Sequence, residues 1–238
     1  MNLRVAINGS SFSIFKNSEN WKEGRYMANV NIKEDAYPIP EDQYNRFKYK
    51  LEEYSDKFKE RNITLFLLGV ATGYRAQDIV CLTIGDIREA LLNQKFVIQE
   101  QKQYHDWKTH MIKNPKSNKK KPKPREVPIG NNLSRLLKEY VRNKKNSEYA
   151  FKSNKGDTYI TQKSYSKILS NVGKSLGLKN ISGHSMRKTY ANRLWEVKKD
   201  IEYVRIALGH TNIETTKRYL GLTNGVKEEA SEIIDNKL

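Results

Sequence analysis

The fold of this chain is decided by three short stretches near its end, GHSMRKT (residues 183–189), LGHT (208–211) and TKRY (216–219). His184 and Arg187 are three residues apart, so on a helix they share one face. Tyr219 follows His210 by nine residues. Arginine donates planar, paired hydrogen bonds to phosphate oxygens, histidine exchanges protons near neutral pH, and tyrosine supplies an oxygen nucleophile. Each residue alone has a structural explanation, but together they predict chemistry on a phosphodiester.

The composition points to a globular protein that binds a polyanion. A chain of 238 residues suits one large domain, or one domain with a small appendage. Lysine and arginine outnumber aspartate and glutamate by 44 to 27, for a net charge of +17. Neutralising phosphates releases counterions, so this excess predicts salt-sensitive binding to nucleic acid. Charge alone also fits an RNA-binding protein or a merely basic surface.

Several classes of protein are disfavoured. Cys81 is the single cysteine and lies in an apolar run, so a buried thiol is predicted, with no disulfide and no Cys/His metal site. The longest apolar stretch, residues 63–71, is too short to span a bilayer. The N-terminus has no signal-peptide pattern. These features predict a cytoplasmic, nucleoid-associated protein without a membrane partner.

The N-terminal residues predict a small β-rich element. Two apolar runs, 3–7 and 11–15, flank Asn8-Gly9, a strong hairpin signal, and residues 25–32 suit a third strand. Two prolines at 38 and 40 then mark a boundary. The predicted organisation is a β-rich element at 1–36, a main domain at 37–222 and a C-terminal helix or tail at 223–238.

The main domain is predicted to be mostly helical. From Glu41 onward, apolar residues recur every three or four positions, and residues 63–71 suit a buried helix. A short helix through Asp78 is predicted next. Further amphipathic helices are predicted at 133–141, 161–176, 184–197 and 201–208, with a last one whose capping box begins at Thr211.

Two strands, 95–101 and 125–129, are predicted on either side of a basic segment, residues 102–125. This segment holds eight lysines and one arginine against a single acid, Asp106. It is predicted to be a long exposed loop or a β-hairpin with a disordered tip. Its basic side chains, with Lys188, are the predicted DNA contacts: Lys108, Lys113, Lys116, Lys119, Lys120, Lys121, Lys123 and Arg125.

Arg75 is a further candidate because it follows a predicted buried helix and precedes Asp78 by three residues. On a helical turn the carboxylate of Asp78 would face the guanidinium and hold its orientation. A surface salt bridge is the simpler explanation of this pair taken by itself.

The order and spacing of these motifs resemble those of the tyrosine recombinases, the phage integrase family. Residues 72–79 (TGYRAQDI) resemble the family's first arginine box, 183–189 its H-x-x-R box, and 208–219 its third box with the terminal tyrosine. The resemblance runs from about residue 38 to 222. It implies an α+β, mainly helical catalytic domain with a small antiparallel sheet, whose β-hairpin carries the catalytic lysine.

The resemblance also implies a role for each site residue. Arg75 and Arg187 would hold the scissile phosphate while Tyr219 attacks it, leaving a 3′-phosphotyrosine and a free 5′-hydroxyl. His210 would bind a non-bridging oxygen, and His184 would assist proton transfer at the tyrosine. Lys102, at the end of the first predicted strand, best fits the family's general acid, with Lys108 or Lys113 as alternatives. No metal and no cofactor is implied.

The N-terminal end of the chain departs from the family pattern, and the C-terminal end allows two interpretations. Family members usually carry a helical DNA-clamping domain before the catalytic domain. In this chain about 36 residues precede the catalytic pattern, and they are predicted to form β structure. The resemblance predicts a site-specific DNA recombinase or integrase, which is either minimal or uses the β element to contact DNA. The alternative is a non-catalytic DNA-binding regulator built on the same fold. A topoisomerase of similar chemistry is a further alternative. The C-terminal helix either packs on its own domain or is exchanged between protomers of a tetramer on synapsed sites.

Overall fold

The computed structural model describes residues 35–222 and 226–237. The hairpin predicted at 3–15 and the strand predicted at 25–32 lie outside the described residues. The N-terminal β-rich element therefore stays a prediction, as do the limits of the three predicted segments.

Helix α2 (Lys59–Thr72) is the central element and packs against α1 (Glu41–Ser55), α6 (Asn131–Tyr140) and α8 (Gly183–Lys198). The predicted apolar run forms most of α2, and Leu65, Phe66 and Leu68 are fully buried. Gly69 lets α8 approach closely, since a Cβ there would lie 2.7 Å from Sδ of Met186. Burial of this apolar face, rather than helix propensity, holds α2 in place.

The remaining elements follow in chain order. They are α3 (Ala76–Ile79), α4 (Ile84–Leu92), β1 (Lys95–Ile98), α5 (Gln101–Lys113), β2 (Arg125–Pro128), α7 (Gln162–Ser175), α9 (Ile201–Leu208), α10 (Ile213–Leu220) and α11 (Val226–Asp235), with a 3₁₀ turn at Asp56–Phe58 after α1. The predicted fold class, mainly helical with one small antiparallel sheet, is confirmed.

Strands β1 and β2 pair antiparallel, with Lys95 opposite Pro128 and Ile98 opposite Arg125. The predicted first strand is too long, because the pairing ends at Ile98 rather than at residue 101. Phe96 and Val127 form one paired position and are both buried, so this register turns their side chains into the core. The sheet thereby fixes where the segments after β1 and before β2 enter the fold.

The prediction of a loop or hairpin across the basic segment is wrong for its first half, which forms α5. The first turn is held by a tertiary contact, since the backbone N–H of Gln101 donates to Oδ1 of Asp78 at 2.9 Å. Tyr104 and Trp107 lie three residues apart on one face, with ring centroids 5.7 Å apart. Lys102 consequently lies in the first turn of α5 and not in a strand.

Most other predicted helices are present within two residues of their expected limits. The start of α10 differs, because its N-cap is Asn212, whose side chain accepts from the N–H of Glu214 at 2.7 Å, and not Thr211. Helix α4 was not predicted, although Thr83 and Asp86 form a reciprocal capping box at its start. Val197, in the last turn of α8, is 79% exposed.

Helix α11 lies within the predicted C-terminal tail, and the side chains of residues 230–237 are exposed. Ile233 and Ile234 are about half exposed. Across the described ranges, no helix has the length and apolar character needed to cross a bilayer.

Candidate active site

Arg187 lies at the centre of the candidate site and is almost completely buried, with 1% of its surface exposed. It is carried by the first turns of α8, which Ser182 caps by accepting from the N–H of His184. Its guanidinium donates to the carbonyls of Gly73 and Leu208 and to Oε1 of Glu100, each at 2.7 Å. Nε of Arg187 is buried and has no hydrogen-bond partner in the described part of the chain.

Two glycine-terminated helices supply the carbonyls that Arg187 binds. Gly73 ends α2 and Gly209 ends α9, both in the left-handed conformation, with φ of 63° and 66°. Glycine adopts this conformation without steric cost, and at Gly73 a Cβ would also collide with Tyr190 at 2.4 Å. Unpaired carbonyls at helix C-termini carry partial negative charge, which favours a cation there.

Arg75 pairs with Glu100 rather than with Asp78, which corrects the predicted partner. Nη1 of Arg75 lies 2.9 Å from Oε1 of Glu100, and both side chains are largely buried. Asp78 instead accepts from the backbone of Gln101. Burial raises the pKa of the Asp78 carboxyl. Asp78 therefore holds the backbone of the segment that carries Glu100.

Tyr219 and His210 lie together beside the arginines. Their rings meet edge to face with centroids 5.5 Å apart, and Nδ1 of His210 lies 3.0 Å from Oγ1 of Thr216, one turn before the tyrosine. The hydroxyl oxygen of Tyr219 is buried without a hydrogen-bond partner among the described residues. A buried hydroxyl without a partner costs free energy, so its position here suggests a functional use.

The site shifts the pKa of both groups away from ionisation. Burial raises the pKa of Tyr219 to about 12, against the opposing effect of Arg187 and Arg75. Burial, followed by the charges of Arg187 and Arg75, lowers the pKa of His210 to about 4. At neutral pH the tyrosine is therefore a phenol and the histidine is uncharged, so one ring nitrogen of His210 can donate a hydrogen bond and the other can accept one.

Arg125 and Lys188, predicted as surface DNA contacts, both lie next to the site. Arg125 is largely buried, stacks on the ring of Tyr74 at 3.9 Å and donates to the carbonyls of Thr72 and Ala207 at 3.1 Å. This burial argues for a structural role of Arg125. Nζ of Lys188 lies 5.2 Å from the ring centre of Tyr219. Burial lowers the pKa of Lys188.

The remaining predicted residues lie at the surface. Lys102 is exposed in the first turn of α5, and His184 is exposed in the first turn of α8. The side chains of Lys108, Lys113, Lys116, Lys119, Lys120, Lys121 and Lys123 are also exposed. The structure thus brings Arg75, Arg187, His210 and Tyr219 together, and leaves Lys102 and His184 on exposed first turns.

Sequence reasoning missed Glu100, whose carboxyl is 1% exposed and contacts three arginines. Gln103 was missed as well, although its amide donates to Oε2 of Glu100 and to the carbonyl of Gly209, each at 3.0 Å. A glutamate at the end of an apolar strand is a weak signal, but one that is available in the sequence. Within residues 35–222 and 226–237, no cluster of His, Cys, Asp or Glu is arranged to hold a metal ion.

Comparison with known proteins agrees with this geometry. The profile of the phage integrase family matches residues 38–224. The probable integrase/recombinase YoeC of Bacillus subtilis is 26% identical over 184 residues, covering 77% of this chain and 90% of that protein. Tyrosine recombinase XerA of Pyrococcus horikoshii is 27% identical over 187 residues, covering 77% of this chain and 57% of XerA.

Solved structures share the fold at low sequence identity. The Tn1549 transposon integrase in complex with a circular intermediate DNA matches with a TM-score of 0.57 at 18% identity, over 78% of this chain and 62% of that one. XerH site-specific recombinase bound to a palindromic difH substrate matches with a TM-score of 0.55 at 22% identity, over 85% of this chain and 54% of that one. The family profile covers most of the sequence and includes every predicted catalytic position, and the chain therefore belongs to the phage integrase family of tyrosine recombinases.

Proposed function

We propose that the chain is a site-specific DNA recombinase that cuts and rejoins strands through a 3′-phosphotyrosine intermediate. One observation carries this proposal: the buried hydroxyl of Tyr219 and the buried Nε of Arg187 both lack partners among the described residues, in a site that also holds Arg75 and His210. A phosphodiester would supply an acceptor for Arg187 and an electrophile for Tyr219.

The reaction is a transesterification. Oη of Tyr219 bonds to the phosphorus, the bond from phosphorus to the 5′-oxygen breaks, and the phenolic proton passes to a base. The departing 5′-oxygen takes up a proton and leaves as a hydroxyl. Attack by a 5′-hydroxyl of a second strand reverses these steps and frees the tyrosine, so bond energy is conserved.

The arginines act where negative charge develops. The transition state places extra charge on the two non-bridging oxygens, and preorganised donors in a buried site stabilise that charge. Arg187 is fixed by two carbonyls and by Glu100, so it needs no rearrangement when the phosphate binds. This supports catalysis without a metal ion, since guanidinium groups supply the charge stabilisation.

Proton transfer is assigned to His184 and Lys102, and His210 is assigned to the phosphate. Uncharged His210 faces the ring of Tyr219 and is oriented by Thr216, and it binds a non-bridging oxygen in this proposal. His184 assists removal of the phenolic proton from the first turn of α8. Lys102 is the proposed general acid for the 5′-oxygen, and it lies in the first turn of α5, where Asp78 accepts from the N–H of Gln101.

The proposed substrate is double-stranded DNA, bound by a tetramer on two synapsed sites in the nucleoid of the cytoplasm. Exposed lysines of the basic segment supply contacts to phosphates. The chain spans little more than half of XerA and of the XerH chain, so these statements about the whole enzyme belong to the proposal. Its relatives bear the names of recombinases and integrases, which favours the enzyme over a non-catalytic regulator.

A covalent-trapping experiment tests the function. The protein is incubated in EDTA with a library of nicked duplexes of randomised sequence. Cleavage near the nick releases a short oligonucleotide that carries the free 5′-hydroxyl. Once this oligonucleotide diffuses away, religation cannot occur and the covalent adduct accumulates. We expect a protein–DNA adduct on a denaturing gel, and sequencing of the trapped DNA gives the preferred site. Tyr219→Phe should abolish the adduct, while Tyr203→Phe, at a half-exposed tyrosine on α9, should keep it.

The absence of any adduct with the unaltered protein would overturn the enzymatic proposal. An adduct that persists in Tyr219→Phe would overturn the assignment of the nucleophile. An adduct that forms only after a divalent metal is added back would overturn catalysis by arginine alone.

A further inference from the structure

Glu100 connects the three arginines around the candidate site, Arg75, Arg125 and Arg187, which we call the arginine cluster. Its carboxyl is 1% exposed and lies two residues beyond β1. Oε1 lies 2.7 Å from Nη1 of Arg187, 2.9 Å from Nη1 of Arg75 and 3.5 Å from Nε of Arg125. One oxygen atom is therefore shared by all three guanidinium groups.

The second carboxylate oxygen is also bound. Oε2 accepts from the amide of Gln103 at 3.0 Å, and the same amide donates to the carbonyl of Gly209. The next peptide N–H, that of Gln101, donates to Asp78. Both the carboxyl and its backbone are thus held by groups outside the arginine cluster.

The carboxylate of Glu100 offsets the repulsion between the three arginines. Three buried guanidinium groups repel one another, and a buried charge is tolerated when it is paired and hydrogen-bonded. Because Nη1 of Arg75 and Nη1 of Arg187 both lie within 3 Å of one atom, Glu100 sets the distance between them. Substrate phosphate needs the two groups at such a fixed spacing.

Glu100 does not occupy the donor of Arg187 that remains open. It binds Nη1, which Gly73 also binds, while Leu208 binds Nη2. Nε is buried and unbonded within the described ranges. The carboxylate therefore holds Arg187 from one side and leaves a donor for a phosphate oxygen.

We propose that Glu100 is a positioning residue for catalysis, which sets the spacing and orientation of Arg75 and Arg187 toward the non-bridging oxygens of the scissile phosphate. The inference rests on the proposed function, because it assigns Glu100 a role in that same reaction. A positioning residue differs from one that only stabilises the fold, because its loss slows the cleavage step and leaves the affinity for DNA unchanged.

The test compares Glu100→Gln with the unaltered chain on the trapped DNA site. Glutamine keeps the size of the side chain and removes its charge, so the arginines lose their common anchor. We expect the single-turnover rate constant for adduct formation at saturating DNA to fall by roughly 10²-fold, while the Kd for DNA changes less than threefold. Rate constants are taken from time courses, so an unfolded fraction alters only the amplitude.

Glu126→Gln is the matched control. Glu126 is an exposed glutamate on β2 that pairs with Lys95, and its change to glutamine removes the same charge at a site close to the end of β1. Its rate constant should equal that of the unaltered chain. An equal loss of rate in Glu126→Gln and Glu100→Gln would overturn the proposal, because the effect would then follow from net charge.

A double-mutant cycle tests whether Glu100 acts through the arginines. In an Arg75→Ala background, the added change Glu100→Gln should slow cleavage less than tenfold, because one of the two anchored groups is already gone. A full 10²-fold loss in both backgrounds would show independent action and overturn the proposal. An unchanged rate constant in Glu100→Gln alone would overturn it as well.

A second variant serves if Glu100→Gln does not fold. Gln103→Met removes the hydrogen bond to Oε2 and leaves every buried charge in place. Positioning by Glu100 predicts a rate constant at least fivefold lower with an unchanged Kd, and an unaltered rate constant would overturn it. Failure of the proposed function is distinct, since the unaltered chain would then form no adduct at all.

Discussion

Arg187 and Arg125 bind the same two helix ends through neighbouring carbonyls. Arg187 donates to Gly73 and Leu208, and Arg125 donates to the residues just before them, Thr72 and Ala207. The C-termini of α2 and α9 are therefore joined by two parallel guanidinium bridges. Arg187 also lies beside Tyr219 in the candidate site, whereas Arg125 stacks on Tyr74.

Arg125→Met should destabilise the domain without removing a DNA contact. The change leaves the carbonyls of Thr72 and Ala207 unpaired, so we expect the free energy of unfolding in urea to fall by about 2–4 kcal/mol. Arg135→Met, at an exposed arginine on α6, should change it by less than about 0.5 kcal/mol. A tenfold weaker Kd for DNA in folded Arg125→Met would favour the original prediction of a DNA contact.

Arg75→Ala should separate catalysis from binding. Arg75 is one of two proposed donors to the non-bridging oxygens, and removal of one such donor typically slows a reaction by roughly 10²- to 10³-fold. We expect that loss in the rate constant for adduct formation, with a Kd within threefold because many lysines share the phosphate contacts. Arg135→Ala is the control. A Kd that weakens in proportion to the rate would contradict the assignment.

His210 should make the stability of the domain depend on pH. Burial, followed by the nearby arginines, lowers its pKa to about 4 from an ordinary value of 6.5. Between these values the unfolded chain binds more protons than the folded one, so stability is complete above about pH 6.5 and falls as the pH falls toward 4.

The measurement compares urea unfolding at pH 7 and pH 4.5 in the unaltered chain and in His210→Gln. The unaltered chain should lose roughly 1–2 kcal/mol more than the variant, after allowance for partial solvation of the ring. The carboxyl groups titrate in both proteins and cancel in the difference. Parallel pH dependences would show that His210 is not held uncharged by the fold.

The sequence predicted those parts of the site that depend on local order and spacing. Arg187 and Tyr219 belong to short motifs whose arginine, histidine and tyrosine residues indicate chemistry on a phosphate. The structure brings the two residues together beside Arg75 and His210. The central helix α2 was predictable for a related reason, since an apolar run of that length buries itself in almost any globular fold. Local pattern was sufficient in these cases.

The remainder depends on contacts between residues far apart in the chain. Glu100 is 87 residues from Arg187, and the pattern around it does not reveal the pairing. Helix α5 begins where Asp78 binds a backbone N–H, 23 residues away in sequence. In the same way, the basic charge of Arg125 predicted a surface position, whereas stacking on Tyr74 and two distant carbonyls bury it.

The exposed lysines after α5 should determine how strongly salt weakens DNA binding. Lys119, Lys120 and Lys121 are all exposed, and each phosphate contact contributes about 0.9 to the slope of log Kd against log salt concentration. We expect the combined change of these three lysines to glutamine to make that slope shallower by about 2 to 3. Mobility-shift titrations from 50 to 250 mM salt measure it.

The matched control changes Lys57, Lys59 and Lys155 to glutamine. All three are exposed and lie near the start of α2. Helix α2 has 14 residues and ends at Gly73, beside the candidate site. A helix of this length places the three lysines about 20 Å from Gly73. This variant loses the same net charge, so long-range attraction falls equally in both. Its slope should stay within about 1 of the unaltered value, because lysines that touch no phosphate release no counterions. Equal slopes in the two triple variants would show that the basic segment attracts DNA by net charge alone and makes no phosphate contacts.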